Sequence, residues 1–257
     1  MGPIMRTVLS IDFDFWVKLE AAELLDWGHR EALFFINQVW GIRAASALAN
    51  GEDLRQIYTL PTDEVAPECL MRELKRKKLG FKKTKGAIAE SHMCINGWLD
   101  GLRDLHVINI DAHHDLGYSG RSELDCSNWL LHLIEAGHVR KVTQIYPKWR
   151  LNSDEWSDEM SDRVAGLDVD YARYYGLENL PTGLPIDKVF VCRSGAWSPP
   201  WLDEHFISVV GAVFGYCSRV VLIGKDVSNP IEPRMFDWKA VELAAEQYKR
   251  VIASVGA

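Results

Sequence analysis

The chain has no stretch rich in proline, glycine or serine that would act as a linker, and no low-complexity run or sequence repeat. Over 257 residues that absence predicts a single domain, residues 1–257, around one large core. No apolar segment approaches the ~20 residues of a membrane span. The start, Met1-Gly-Pro-Ile-Met-Arg6, lacks the apolar stretch of a signal peptide. No membrane partner is therefore expected. The five cysteines, Cys69, Cys94, Cys126, Cys192 and Cys217, are odd in number and no two have zinc-knuckle spacing, which predicts reduced thiols and a cytoplasmic location. Gly-x-Gly-x-x-Gly is missing, as is a Gly-rich phosphate loop ending in Lys and Ser/Thr, so dinucleotide and nucleoside triphosphate sites of those kinds are not expected. Positive charge is in short supply. The formal net charge of -7 argues against a nucleic-acid partner. The exception is the run Lys75-Arg-Lys-Lys78 with Lys82, Lys83 and Lys85, either a solvated helix end and loop or a docking patch for an acidic partner.

What is present is a dense group of ligand-type residues. Val107 to Ile110 is an apolar run of the length of a buried strand, and it empties into Asp111, His113 and Asp115. The carboxyl edge of a parallel sheet supplies ligands to a site in this way. In an extended end, residues two apart point the same way, so all three are expected to face one point. Oxygen ligands with an imidazole suit a hard or borderline divalent metal. The competing reading makes Asp111 a helix cap and His113 a packed surface residue.

A second stretch, Val8-Leu-Ser-Ile-Asp-Phe-Asp-Phe15, runs strand-like into Asp12 and Asp14. Two carboxylates sharing a dry pocket repel, and a cation between them removes the cost. The two strand ends together offer four carboxylates and one imidazole, a set that fits a binuclear centre. A rival Asp-x-Asp, Asp168 and Asp170, lacks a long apolar lead-in and ranks behind Asp12 and Asp14. His92 starts a helical stretch just before the Asp111 strand and is read as a ligand or as a packed, capping histidine.

Strand-like runs at Met5 to Ile11, Val107 to Ile110, Lys141 to Tyr146, Lys188 to Cys192 and Val220 to Ile223 alternate with helical stretches. Those stretches run from Arg30 to Asn50, Pro67 to Leu79, Met93 to Leu105, Ser127 to Gly137, Leu202 to Phe214 and Asp237 to Ser254. Leu54 to Leu60 reads as a further strand, and Gly86 to Glu90 as a short strand or helix approach. The alternation predicts an α/β fold in three layers, α/β/α, with a mostly parallel central sheet. Asp26, His29 and Glu31 form a polar cluster after the first carboxylate pair, either a substrate wall or a capping cluster. Ten tryptophans are many. Trp16, Trp129, Trp149, Trp156 and Trp197 are read as a groove or as core.

Asp111-Ala-His-His-Asp115 resembles the Asp-Ala-His-x-Asp motif of the arginase and agmatinase superfamily, and Ser10-Ile-Asp-Phe-Asp14 resembles its Ser-x-Asp-x-Asp motif. His92 resembles that family's first metal histidine. The two motifs stand in reversed order here, so the resemblance implies an arginase-like three-layer fold with a permuted sheet. Ile11-Asp-Phe-Asp-Phe-Trp16, Asp26-Trp-Gly-His-Arg-Glu31, Asn109 to Asp115, Ser127-Asn-Trp-Leu130 and Val191-Cys-Arg-Ser194 carry a closer resemblance, to the peptide arginases that modify ribosomally made peptides.

That resemblance implies manganese-dependent hydrolysis of arginine side chains in a precursor peptide to ornithine residues, with release of urea. It implies two Mn2+ ions held by Asp12, Asp14, His92, Asp111, His113 and Asp115, with Asp12 and Asp111 bridging. Asp115 would orient the nucleophile, and His29 or His114 would protonate the leaving amine. Asp26 or Glu31 would pair with the guanidinium, and Asn128 and Trp129 would line the substrate site. The alternatives are a small-molecule amidinohydrolase (arginase or agmatinase), a related metal-dependent deacetylase, and a non-enzymatic metal-stabilised or peptide-binding protein. The oligomeric state is left open.

Overall fold

A computed structural model describes residues 5–19, 36–60, 67–117, 123–151, 158–224 and 229–255. Its centre is a seven-stranded sheet. The strands are β1 (Arg6–Asp12), β4 (Lys85–Ala89), β5 (Leu105–Ile110), β6 (Val139–Tyr146), β7 (Asp170–Tyr175), β8 (Lys188–Cys192) and β9 (Arg219–Leu222). Their order is β7-β6-β5-β1-β8-β4-β9, and every ladder between them is parallel. A separate antiparallel pair joins β2 (Lys18–Leu19) and β3 (Tyr58–Thr59).

The apolar runs explain the central position of β1 and β5. In β1 every residue after Arg6 is buried, and in β5 all are. Strands without a polar alternation belong in a parallel sheet covered on both faces. Successive side chains then serve opposite cores. Leu9, Ile11, Ile108 and Ile110 meet α1 (Ile36–Ala49), α3 (Pro67–Arg76), α7 (Asp203–Phe214) and α8 (Trp238–Val255) through Trp40, Leu70, Phe206 and Val241. Val8 and Val107 face α4 (Cys94–Leu99), α5 (Trp129–Glu135) and α6 (Asp158–Ala165) through Ile95, Leu99, Leu130 and Met160. The result is the three-layer α/β/α arrangement expected from the alternation. Among the described residues, no helix is long and apolar enough to cross a membrane.

Two local expectations change. Leu54 to Leu60 is not one strand: Asp53 caps a single helical turn, α2 (Leu54–Ile57), before β3 begins. An accepting Asp side chain at an N-cap outweighs the weak strand propensity of Leu-Arg-Gln-Ile. The helix expected from Met93 to Leu105 stops at Leu99, because Gly101 (φ 73°) and Asp104 (φ 55°) adopt left-handed backbone and turn the chain into β5.

Two sequence features sit away from the carboxyl ends of the strands. After α3, Lys78, Lys82 and Lys83 are exposed and Lys77 is half-buried, and Lys85 opens β4 at the amino edge of the sheet. A cavity of about 510 Å³ lies on the same edge, lined by Thr7, His106, Lys141 and Thr143 among others. Burial, reinforced by Lys141, lowers the His106 imidazole to about 4, so it is neutral there and bonds to Thr143. None of the metal-type residues lines this cavity.

Candidate metal centre

Three parallel strands, the neighbours β5 and β1 and, one strand beyond β8, β4, end on the same edge and deliver the ligand-type residues. β1 leads to Asp12 and Asp14, β5 to Asp111, His113 and Asp115, and β4 to His92 three residues beyond its end. The carboxylates are almost completely buried, at 2% exposure for Asp12, 4% for Asp14, 0% for Asp111 and 4% for Asp115. They meet in two groups. The ligand atoms of Asp12, His92 and Asp111 lie within 4.8 Å of one another, and so do those of Asp14, Asp111 and His113. Asp111 belongs to both.

The convergence does not come from strand alternation. After Asp12 the chain enters a turn of 3-10 helix, Phe13–Trp16, and Asp12 Oδ1 accepts from the Asp14 N–H at 3.0 Å. After Ile110 the Asp111 carboxylate accepts from the His113 N–H at 2.8 Å, and Asp115 adopts φ 54°. Each first carboxylate thus folds its own loop and brings the next ligand to the same side.

The imidazoles are oriented from behind. His92 Nε2 meets Ser10 Oγ at 2.7 Å, and its ring stacks between Trp129 and Phe190. Nδ1 is left facing three carboxylate oxygens, at 3.0 Å from Asp12, 3.2 Å from Asp111 and 3.4 Å from Asp115. It is in hydrogen-bond geometry with none of them. Two ligands at right angles on an ion that holds each at ~2.1 Å stand about 3 Å apart. The observed spacing is of that size. His113 Nδ1 lies 2.9 Å from Asp14 Oδ2, and Arg150 stands 3.2 Å from its Nε2.

Electrostatics show how crowded the cluster is. Burial, followed by repulsion from a neighbouring carboxylate, raises the pKa of Asp12. Burial also raises Asp14, with His113 opposing, and raises Asp115 well above the usual carboxylate range, with Asp111 adding to it. For His92 burial acts downward, but Asp111 and Asp12 outweigh it and push the imidazole up to about 9. Carboxylates raised in this way hold their protons more tightly unless a cation replaces them. Buried Asp and His at these separations can hold divalent metal ions, and the donor set fits that role.

The remaining expected site residues divide. Asp26, His29 and Glu31 lie outside the described residues, as does Trp156. His114 is buried, and its Nδ1 accepts from the Leu116 N–H at 3.0 Å. Asn128 is fully buried and ties down its own loop, accepting from the Asp125 N–H and donating to the Glu123 carbonyl. Trp129 is also fully buried: its indole N–H donates to Asp115 and its ring backs His92. Trp16 belongs to the core, whereas Trp149 and Trp197 are half-buried.

Several supporting residues escaped the sequence reading. Asn109 donates to Asp111 and Gln144, and Gln144 donates to the carbonyl of His113. Ser10 holds His92, and Ser194 donates to Asp12. The available signal was a polar residue interrupting an apolar strand: Ser10 in β1, Asn109 in β5, Gln144 in β6. Such a residue must find a partner when buried, and these partners lie at the strand ends. No family model, curated protein or solved structure matches the chain.

Proposed function

We propose that the protein is a binuclear manganese-dependent hydrolase that converts arginine side chains of a peptide to ornithine, releasing urea. The observation that carries this reading is Asp111, one fully buried carboxylate shared by two Asp/His groups at the carboxyl edge of a parallel sheet. Bound divalent ions would supply an activated water and stabilise the charge that develops on the reacting carbon.

The chain's own residues do the rest. Ser10, Trp129 and Phe190 fix the ring of His92, and Trp129 fixes Asp115 beside it. Asn109 and Gln144 hold the loop that carries His113. The amine leaving the guanidinium carbon needs a proton. The attacking water releases one as it adds, and His114, a neutral ring while its Nδ1 accepts from a backbone N–H, would have to give up that bond to carry it. The net charge of -7 favours a cationic side chain.

A peptide rather than a free amino acid is supported by the rim. The Trp197 ring stands 5.6 Å from that of His113, and half-buried Trp149 donates to the Phe15 carbonyl nearby. Such amphipathic rings suit a neutral peptide backbone with its neighbouring side chains.

The test is incubation of the manganese-loaded protein with blocked and longer arginine peptides, read by mass spectrometry and urea release. The expected products are ornithine residues and urea. Acetate from acetyl-lysine peptides without urea would assign a deacetylase instead. A kcat/KM for free arginine equal to that for peptides would leave an ordinary amidinohydrolase.

A further inference from the structure

The loop after β8 touches the metal-type cluster, and apart from Trp197 at the rim the proposed chemistry gives it no task. Arg193 to Ser198 is immobilised at nearly every carbonyl. The Arg193 carbonyl accepts from Ser198 Oγ at 2.6 Å, and that of Ser194 from the Trp197 and Ser198 N–H groups at 2.8 Å each. Gly195 is held by Trp40 Nε1 and Arg234, and Ala196 by Arg43. No side chain fits at Gly195, since an added Cβ would lie 1.9 Å from Glu90 Oε1.

Beneath these bonds lies a buried ion cluster. The Arg193 guanidinium, 1% exposed, pairs with Glu90 and Asp203, and Asp203 pairs again with Arg234. Breaking such a cluster strands a charge in a dry interior, so the loop has little freedom to shift.

Ser194 is the one residue of this loop with left-handed backbone, at φ 49°. That region is costly for serine and free for glycine. What serine adds is its hydroxyl, which donates to Asp12 Oδ2 at 2.6 Å. The same oxygen faces His92 Nδ1 at 3.0 Å, while the other oxygen of Asp12 is taken by the Asp14 N–H. Both ends of the carboxylate are thereby fixed.

We infer that Ser194 is a positioning residue: its hydroxyl orients Asp12 toward the ion held with His92 and Asp111, and the Arg193 cluster holds Ser194 in place. The inference rests on the metal-centre reading above and is independent of the substrate.

The experiment titrates metal-free protein with Mn2+ by calorimetry, for the parent, Ser194→Gly and Ser194→Asn, with thermal unfolding of each metal-free form. Loss of an outer partner of a metal ligand costs about 10–100-fold in affinity. Ser194→Gly is expected to lose affinity in that range, without a lower Tm in the metal-free form, because glycine accepts this backbone. Ser194→Asn tolerates left-handed backbone and restores a donor, so part of the affinity returns. Parent-like Mn2+ affinity in Ser194→Gly overturns the inference, as does a loss fully matched by a fall in metal-free Tm. A parent that binds no Mn2+ overturns the metal-centre reading itself, and this inference with it. None of these readouts uses turnover, so failure of the arginine-peptide reading is seen separately.

Discussion

Two Asp-x-Asp pairs with identical spacing meet opposite fates in this molecule. Asp12 and Asp14 close the central strand β1, with side chains 3% and 5% exposed. Asp168 and Asp170 precede and open the edge strand β7, with side chains 94% and 64% exposed and paired to Arg140 and Lys141. The register places Asp170 level with Lys141 and Lys141 level with His106, at the start of β5. Asp111 lies beyond the other end of that strand, roughly 16 Å away at ~3.3 Å per residue. Spacing alone therefore makes no site. The end of the strand decides: in a parallel sheet every carboxyl end opens on one edge, and that is the edge where ligand-bearing loops converge on a site.

The largest expected effect comes from removing the residue that both buried groups share. Asp111→Asn should abolish binding of Mn2+ at either group, a loss beyond the ~10–100-fold of an outer partner, whereas Asp168→Asn should bind as the parent does. Metal analysis of the purified variants reads both. Full metal content in Asp111→Asn would sink the shared carboxylate, and loss of metal in Asp168→Asn would erase the difference between the two pairs.

Next in size is the effect of burial on an ion pair. Arg193→Met leaves Glu90 buried without its guanidinium and should destabilise the fold by about 3–5 kcal/mol in denaturant unfolding. A smaller loss would show that the buried carboxylates find other partners.

The pH dependence of the metal-free protein sharpens the comparison further. His92 is raised from 6.5 to about 9, so the stability it contributes is complete below 6.5 and lost as pH rises through 9. The raised carboxylates Asp12, Asp14 and Asp115 act with the same sign, since the folded state binds more protons than the unfolded. Metal-free protein should lose on the order of 3 kcal/mol between pH 6.5 and 9. Bound metal should flatten that slope, because it needs the same ligands deprotonated. A flat profile without metal would contradict the crowded-carboxylate picture. The smallest effect is expected at the exposed pair: Lys141→Met, which breaks its contact with Asp170, should change stability by ~0–1 kcal/mol.

The strand ends were legible because each combined an apolar run with ligand residues, at Val107 to Asp115 and Val8 to Asp14. The layers followed from the alternation of such runs with helical stretches. The geometry of convergence was not legible. Alternation in an extended strand predicted it, but Asp12 and Asp111 instead fold the turns that follow them. Tertiary partners were also hidden: nothing near Ser194 in sequence announces Asp12, 182 residues away. Trp129 illustrates the same limit, since the resemblance put it at the substrate site, while nothing in the sequence announced that its indole backs His92 and Asp115.

Asp111 has a thermodynamic consequence beyond its place in the centre. A single carboxylate that lends atoms to two groups makes their occupancies linked quantities. Whatever factor the first ion exerts on the second, the second exerts on the first. If one ion fixes the carboxylate, the other finds that ordering already done. Were both groups occupied and that ordering the larger effect, the centre would fill and empty as a unit, and a chelator strong enough to take one ion would draw out its neighbour.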